Sequence, residues 1–196
     1  MKHKEYEKDT YLNAMYPLNP KSGNLIIEIL LEKYIYLFNE WDNASFKRRD
    51  LDPDLIFFLD ECSQEVSLEH DIELVITVTE EERDITKENN IIKGFKNQYS
   101  HYLTSEERSL KELYKKTLLY VIAAFTILFA SSILEETLTV SPLSTTVIEG
   151  SYIGGWVFAW EAVSNFFFLR GEVKRKIKEY KRILKAPILF VYLNEK

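Results

Sequence analysis

Residues 117–134 read TLLYVIAAFTILFASSIL, eighteen positions without one ionisable side chain. Fifteen residues further on, residues 150–169 (GSYIGGWVFAWEAVSNFFFL) form a second apolar stretch interrupted only by Glu161. A helical rise of about 1.5 Å per residue makes each stretch roughly 27–30 Å long, the thickness of a bilayer's hydrocarbon core. The pair is expected to form a two-helix transmembrane hairpin. The competing reading is a soluble protein with two buried core helices. The one-sided charge of the flanks favours the membrane.

Arg108, Lys111, Lys115 and Lys116 precede the first stretch, and Arg170, Lys174, Arg175, Lys176, Lys178, Lys181, Arg182 and Lys185 follow the second. The connecting residues 135–149 hold three Glu and no Lys or Arg. Basic residues near span ends resist translocation, so both termini are expected in the cytoplasm and the loop outside, in a cell (inner or plasma) membrane. The N-terminus, MKHKEYEKDT, has no apolar run and does not read as a signal peptide, which leaves the first span as the insertion signal.

The net charge of −6 is unevenly spread. Residues 1–103 hold 12 Lys or Arg against 21 Asp or Glu, and residues 104–196 hold 13 against 10. The acidic part should not attract nucleic acid, and the basic part suits the inner-leaflet surface. A single cysteine excludes an intrachain disulfide and a multi-cysteine zinc site.

Along the chain, residues 1–24 read as a polar arm, mobile or loosely wrapping. Residues 25–31 (LIIEILL) read as a strand that continues or bulges to 38, with a helix as the rival at this length. Residues 39–49 are loop. Asp52 reads as a helix N-cap with Pro53 first and Asp54 at the positive end of the dipole. That helix, 53–66, has Leu55, Phe58, Leu59, Cys62 and Val66 on one face, which makes Cys62 a small buried hydrophobe. Residues 72–79 alternate as a strand with Ile72, Leu74, Ile76 and Val78 inward. After an acidic turn, a third amphipathic helix runs to about 103 with Ile85, Ile92, Phe95, Tyr99 and Tyr102 on one face. Thr104 and Glu107 then match a capping box, starting a helix that continues into the first span. Residues 170–185 form a basic helix stopped by Pro187, and 188–193 (ILFVYL) should return as a strand to the sheet.

The expected fold is therefore a small cytosolic α/β (α+β) domain of about three strands and three helices, with the two-helix hairpin inserted. In domain terms this is an arm over 1–24, a first α/β part over 25–104, the long helix and hairpin over 105–169, and the returning helix and strand over 170–196.

With these residues laid out, the chain resembles an uncharacterised bacterial family of small two-span membrane proteins. The likeness rests on an Arg-Asp-Leu-Asp-Pro segment, here Arg49 to Pro53, and an Ile-Gly-Gly-Trp-Val segment, here Ile153 to Val157, with Trp160 following. It implies the two-span architecture and carries no catalytic residue.

Two groups of residues invite a functional reading. Gly150 and Gly154 make one small-xxx-small pair, and Ser151, Gly155 and Ala159 another; both suit close helix packing, within the hairpin or between copies. Glu161 lies near mid-span, on a polar strip with Ser164 and Asn165, where an ionised carboxylate costs about 2.5 kcal/mol or more. It is neutral and hydrogen-bonded to the first span (for example Thr126), or it lines a water path in an oligomer, or it lies shallower near the headgroups. Arg48, Arg49, Asp50, Asp52 and Asp54 form the densest charged cluster outside the spans, and capping explains its Asp-x-Asp-x-Asp run better than a cation site, which lacks the glycine and distal Glu of a calcium loop. His70 and His101 have no ligand spacing, and no nucleophile motif, phosphate loop or metalloprotease motif occurs.

The expected role is non-enzymatic, without a cofactor or metal: a membrane-tethered scaffold or regulator that self-associates or binds a membrane protein. The alternative is an oligomeric gated effector or channel controlled by its cytosolic domain. An enzyme built on residues 48–54 is the third.

Overall fold

In the computed structural model, which describes residue 12 and residues 14–193, the run LIIEILL forms strand β1 over Leu25–Leu31. Residues 1–11 and 13 of the polar arm lie outside the described residues, as do residues 194–196. The strand does not continue to residue 38. A single 3₁₀ turn occupies Tyr34–Leu37, and Tyr34 and Leu37 are both buried. An extended chain would send residues three apart to opposite faces, whereas a 3₁₀ turn brings them to one side.

Helix α1, Pro53–Glu65, begins as its sequence dictates. The Asp52 carboxylate accepts from the backbone N–H groups of Asp54 (2.8 Å) and Leu55 (3.4 Å), with Pro53 in the first turn. Leu59, Cys62 and Val66 are buried, but Phe58, expected beside them, is 42% exposed. The covered stripe runs through 55, 59, 62 and 66, and Phe58 sits about 100° around the helix from Leu59.

Strand β2, Ile72–Val78, pairs in parallel with β1 on one side and with β3, Ile188–Tyr192, on the other. Leu25 lies opposite Ile72, and Leu74 opposite Ile188. Parallel strands need long crossovers. Here α1 supplies the first, and three helices supply the second.

The first of those, α2, is one helix of 53 residues, Ile85–Thr137. The expected capping box at Thr104 does not form. The Thr104 hydroxyl donates instead to the carbonyl of Ser100 one turn back (2.8 Å), and the segment contains no Gly or Pro to break the ladder. Ile91, not Ile92, is fully buried with Phe95 and Tyr99, and Ile85 is 61% exposed at the helix start. After residues 138–141, α3 runs over Pro142–Ser164, with Ser141 and Ser144 forming a reciprocal cap. The second apolar stretch is thus α3 followed by a π-helical turn at Asn165–Leu169, not a single regular helix. Helix α4, Arg170–Lys185, follows directly, and Pro187 precedes β3.

The chain divides into two compact units: residues 1–104 with 178–196, and residues 105–177. In the first, one face of the sheet carries Ile27, Leu74, Ile76 and Val78 into a single core with Leu59 and Cys62 of α1, Phe95 and Tyr99 of α2, and Ile183 of α4. Burial of a side chain such as Leu74, fully covered, contributes about 1.5–3 kcal/mol. The other sheet face is open, with Leu30 72% exposed on β1 and Leu189 and Val191 exposed on β3 across the middle strand.

Among the described residues one helix, α2, is long and apolar enough to cross a membrane. Only 11% of its most apolar window is buried inside the protein, whereas a soluble core helix is mostly covered. Leu118, Leu119, Ile122, Phe125 and Phe129 all face outward.

Candidate functional site

In the unit formed by residues 105–177, α2 and α3 touch through small residues. A Cβ added at Gly155 would stand 2.7 Å from Cγ and Cδ2 of Leu128, so a larger residue there would have to displace that side chain. Around this contact Tyr120 and Phe158 approach with ring centres 5.7 Å apart, and the Tyr152 hydroxyl donates to Glu135 (2.9 Å). Ala159 is half-buried and Ala162 buried. Ser151 turns its hydroxyl back to the carbonyl of Val147 (2.8 Å).

The other small pair is unused. A Cβ on Gly150 or Gly154 would meet nothing within 4 Å. With Val157 and Glu161 these glycines follow one another at four-, three- and four-residue steps, the repeat of a single helix face. Gly150, Val157 and Glu161 are exposed and Gly154 is half-buried.

The polar strip is split. Glu161 lies outside, Ser164 is half-buried, and Asn165 is 1% exposed with its Nδ2 lacking a hydrogen-bond partner. The Glu161–Thr126 hydrogen bond is not made, because the Thr126 hydroxyl is satisfied by the carbonyl of Ile122 in its own helix (2.8 Å).

The α/β unit has two further polar assemblies. Its parallel strands end at Leu31, Val78 and Tyr192, the edge of such sheets where ligands bind. A pocket of about 660 Å³ opens there, lined by Leu30, Glu32, Tyr36, Asp52, Leu55 and Thr79. Nearby, the Tyr192 hydroxyl meets that of Tyr34 and donates to Glu88, which also lies 3.5 Å from Arg83. At the opposite edge Glu73, 3% exposed, accepts from Asn19 (2.6 Å) and Ser22 (3.0 Å).

In the 48–54 cluster, Arg49 and Asp52 hold backbone, while Arg48, Arg49 and Asp50 line a pocket of about 280 Å³ with Asn97, Gln98 and His101. Arg49 donates to the carbonyl of Asn39, and Asp42 accepts from the backbone of Ala44 and Asp50, which holds its carboxyl below the usual range. Asp52 is the α1 cap. Cys62 is a buried free thiol, and its burial pushes its pKa up.

Arg182 escapes a reading of the sequence, where it is one of many cations on a basic helix. It is buried, and its guanidinium donates to the carbonyls of Ser63, Val66, Ser67 and His70, where α1 ends. The available signal is the apolar repeat Ile177, Tyr180, Leu184 on α4, which Arg182 flanks.

Three tyrosines give the α/β unit an alkaline limit. Burial, reinforced by Glu65 at Tyr16, by Asp60 at Tyr99 and by Glu88 at Tyr192, pushes all three phenols far above their ordinary value of 10.0. A pKa raised in the folded state means stability that is complete below the unfolded value and lost as pH rises above it. The unit is therefore expected to lose stability steeply above about pH 10. Tyrosinate absorbance should show these three of the 12 tyrosines ionising only together with unfolding.

No family model, curated protein or solved structure matches the chain.

Proposed function

We propose that the chain is a two-span membrane protein with both termini in the cytoplasm, whose α/β unit is tethered by a transmembrane hairpin of α2 and α3 that self-associates. It serves as a non-enzymatic scaffold or regulator. The observation that carries this reading is the free stripe on α3. Gly150 and Gly154 leave room for a helix, and the same face carries Glu161, whose carboxylate is costly in lipid. The packing of Gly155 on Leu128 accounts for contact within the hairpin, which leaves the Gly150–Gly154 face for a neighbour. A partner helix from a second copy both fills that space and covers the carboxylate.

Self-association in nanodiscs or by cross-linking in native membranes tests it. Gly154→Leu is expected to weaken the oligomer by about tenfold, equivalent to roughly 1.4 kcal/mol, while the chain stays in the membrane on carbonate extraction. A wild-type monomer at every lipid-to-protein ratio contradicts the reading. A phosphatase fused at the C-terminus should be inactive if that end is cytoplasmic.

Glu161 on the free stripe also favours the second reading, a gated effector or channel, since several copies would bring these carboxylates to one axis. Dye release from liposomes that is lost in Glu161→Gln supports this reading. Tight liposomes under every oligomeric condition exclude it.

A further inference from the structure

A groove of about 320 Å³ runs along unit 105–177 between α2 and α3. Thr117, Val121, Phe125, Ala159, Val163 and Phe166 line it, and Thr117 is the only one of these with a polar side chain. From Thr117 to Phe125 the helical rise gives a length of about 12 Å, against roughly 15 Å for one leaflet of the hydrocarbon core.

At one end of the groove stands Arg170. Its guanidinium lies 4.8 Å from the ring centre of Phe166, which lines the groove, and 5.8 Å from that of Tyr114. Two rings hold the cation, but no carboxylate or carbonyl does: its Nε is buried without a hydrogen-bond partner, and among the described residues it forms no ion pair. A guanidinium kept by aromatic faces retains its edge for a planar bidentate acceptor. The π-helical turn at Asn165–Leu169, a distortion enriched at functional sites, separates Val163 of the groove from Arg170.

We propose that this groove and Arg170 bind one anionic phospholipid, an acyl chain along the groove and the phosphate on the guanidinium. The inference rests on the membrane reading above. Apolar walls ending at an unpaired cation match an amphiphile with an apolar tail and an anionic head. Lys116, over the ring of Tyr120 at 5.4 Å, adds positive charge at the same end of α2. An anionic head is preferred to a zwitterionic one because phosphatidylcholine brings its own ammonium to compete with Arg170 for the phosphate.

The full chain, purified in mild detergent with equal amounts of palmitoyl-oleoyl phosphatidylglycerol and phosphatidylcholine, is examined by native mass spectrometry. Wild type should retain one phosphatidylglycerol per chain with about tenfold preference, the factor expected of a charge-assisted pair. Arg170→Gln should abolish the preference, and Arg170→Lys, which keeps the charge without the stacked fork, should keep only part of it. Ala159→Phe should fill the groove and reduce retention of both lipids. Helicity by circular dichroism shows that each variant is folded. Unchanged preference in Arg170→Gln overturns the proposal, and so does displacement of the lipid by inorganic phosphate, which needs no groove. Carbonate extraction of the same variants separates the two ideas. Release from the membrane sinks the parent reading, and a membrane-embedded chain without lipid preference sinks this one alone.

Discussion

Arg182→Ala is expected to destabilise the α/β unit by about 3–5 kcal/mol, since it removes several charge-assisted hydrogen bonds worth about 1.5–3 kcal/mol each and leaves buried carbonyls without a donor. The guanidinium donates to Ser67 O at 2.7 Å, to Val66 O and His70 O at 3.2 Å, and to the Ser63 hydroxyl at 3.1 Å, besides Ser63 O. These acceptors cluster where α1 gives way to the turn before β2, the negative pole of the helix. The last carbonyls of a helix have no partners of their own, and one side chain on α4 satisfies them. Truncation takes this donor from the carbonyls of the buried Ser63 and Val66, whereas Ser67 O keeps the His70 amide. Arg182→Lys keeps a point charge but not the fork, so it should recover less than half of the loss. Urea titration monitored by hydrogen exchange of the β2 amides checks both, and an unchanged midpoint in Arg182→Ala refutes the assignment.

Gly94→Val should cost about 3 kcal/mol, toward the upper end for overpacking. A Cβ there would lie 2.4 Å from the carbonyl oxygen of Phe46, and backbone cannot swing aside as a side chain can. The loop over residues 39–50 must therefore lift from α2. It would part the stacked rings of Phe38 and Phe46, now 5.2 Å apart, and the bond from Asn97 to Lys47 O. Gly94→Ala already introduces the offending atom and should show most of the effect. Thermal unfolding measures the cost, and faster proteolysis within residues 39–50 locates it. Gly171→Ala, with open space around it, is the matched control and should not lower the melting temperature.

The parts of the fold legible in the sequence are those where one local rule decides the outcome. The alternation of Ile72, Leu74, Ile76 and Val78 predicts β2, Asp52-Pro53 predicts the start of α1, and Pro187 before an apolar run predicts the returning strand. The misread parts are those where tertiary context outvotes a local pattern. The Thr104–Glu107 spacing matches a capping box, yet a hydroxyl can bond its own helix, and nothing there interrupts the ladder. Ile92 and Ile91 both continue the apolar repeat of α2, and only the position of the sheet chooses Ile91. Phe58 looks like core because it is large and apolar, although its angle on α1 directs it outward.

The candidate site divides in the same way. Two small-residue pairs on α3 are visible in the sequence, but which one the fold consumes depends on Leu128, some 27 positions away from Gly155. Arg170 reads from sequence as one more cation at a span end. Its distinction, rings for neighbours and no acid, exists only in three dimensions.

The middle strand of the sheet is made long before its last neighbour. Leu74 pairs with Ile188, so both apolar stretches must leave the ribosome before β2 acquires its second partner. During synthesis the Ile72–Val78 backbone waits with one edge bare, and the nascent chain is vulnerable to misassociation for as long as translation of the intervening residues takes. A chain halted within those residues can never close its sheet, so a completed sheet becomes a built-in report that residues 105–177 have been made.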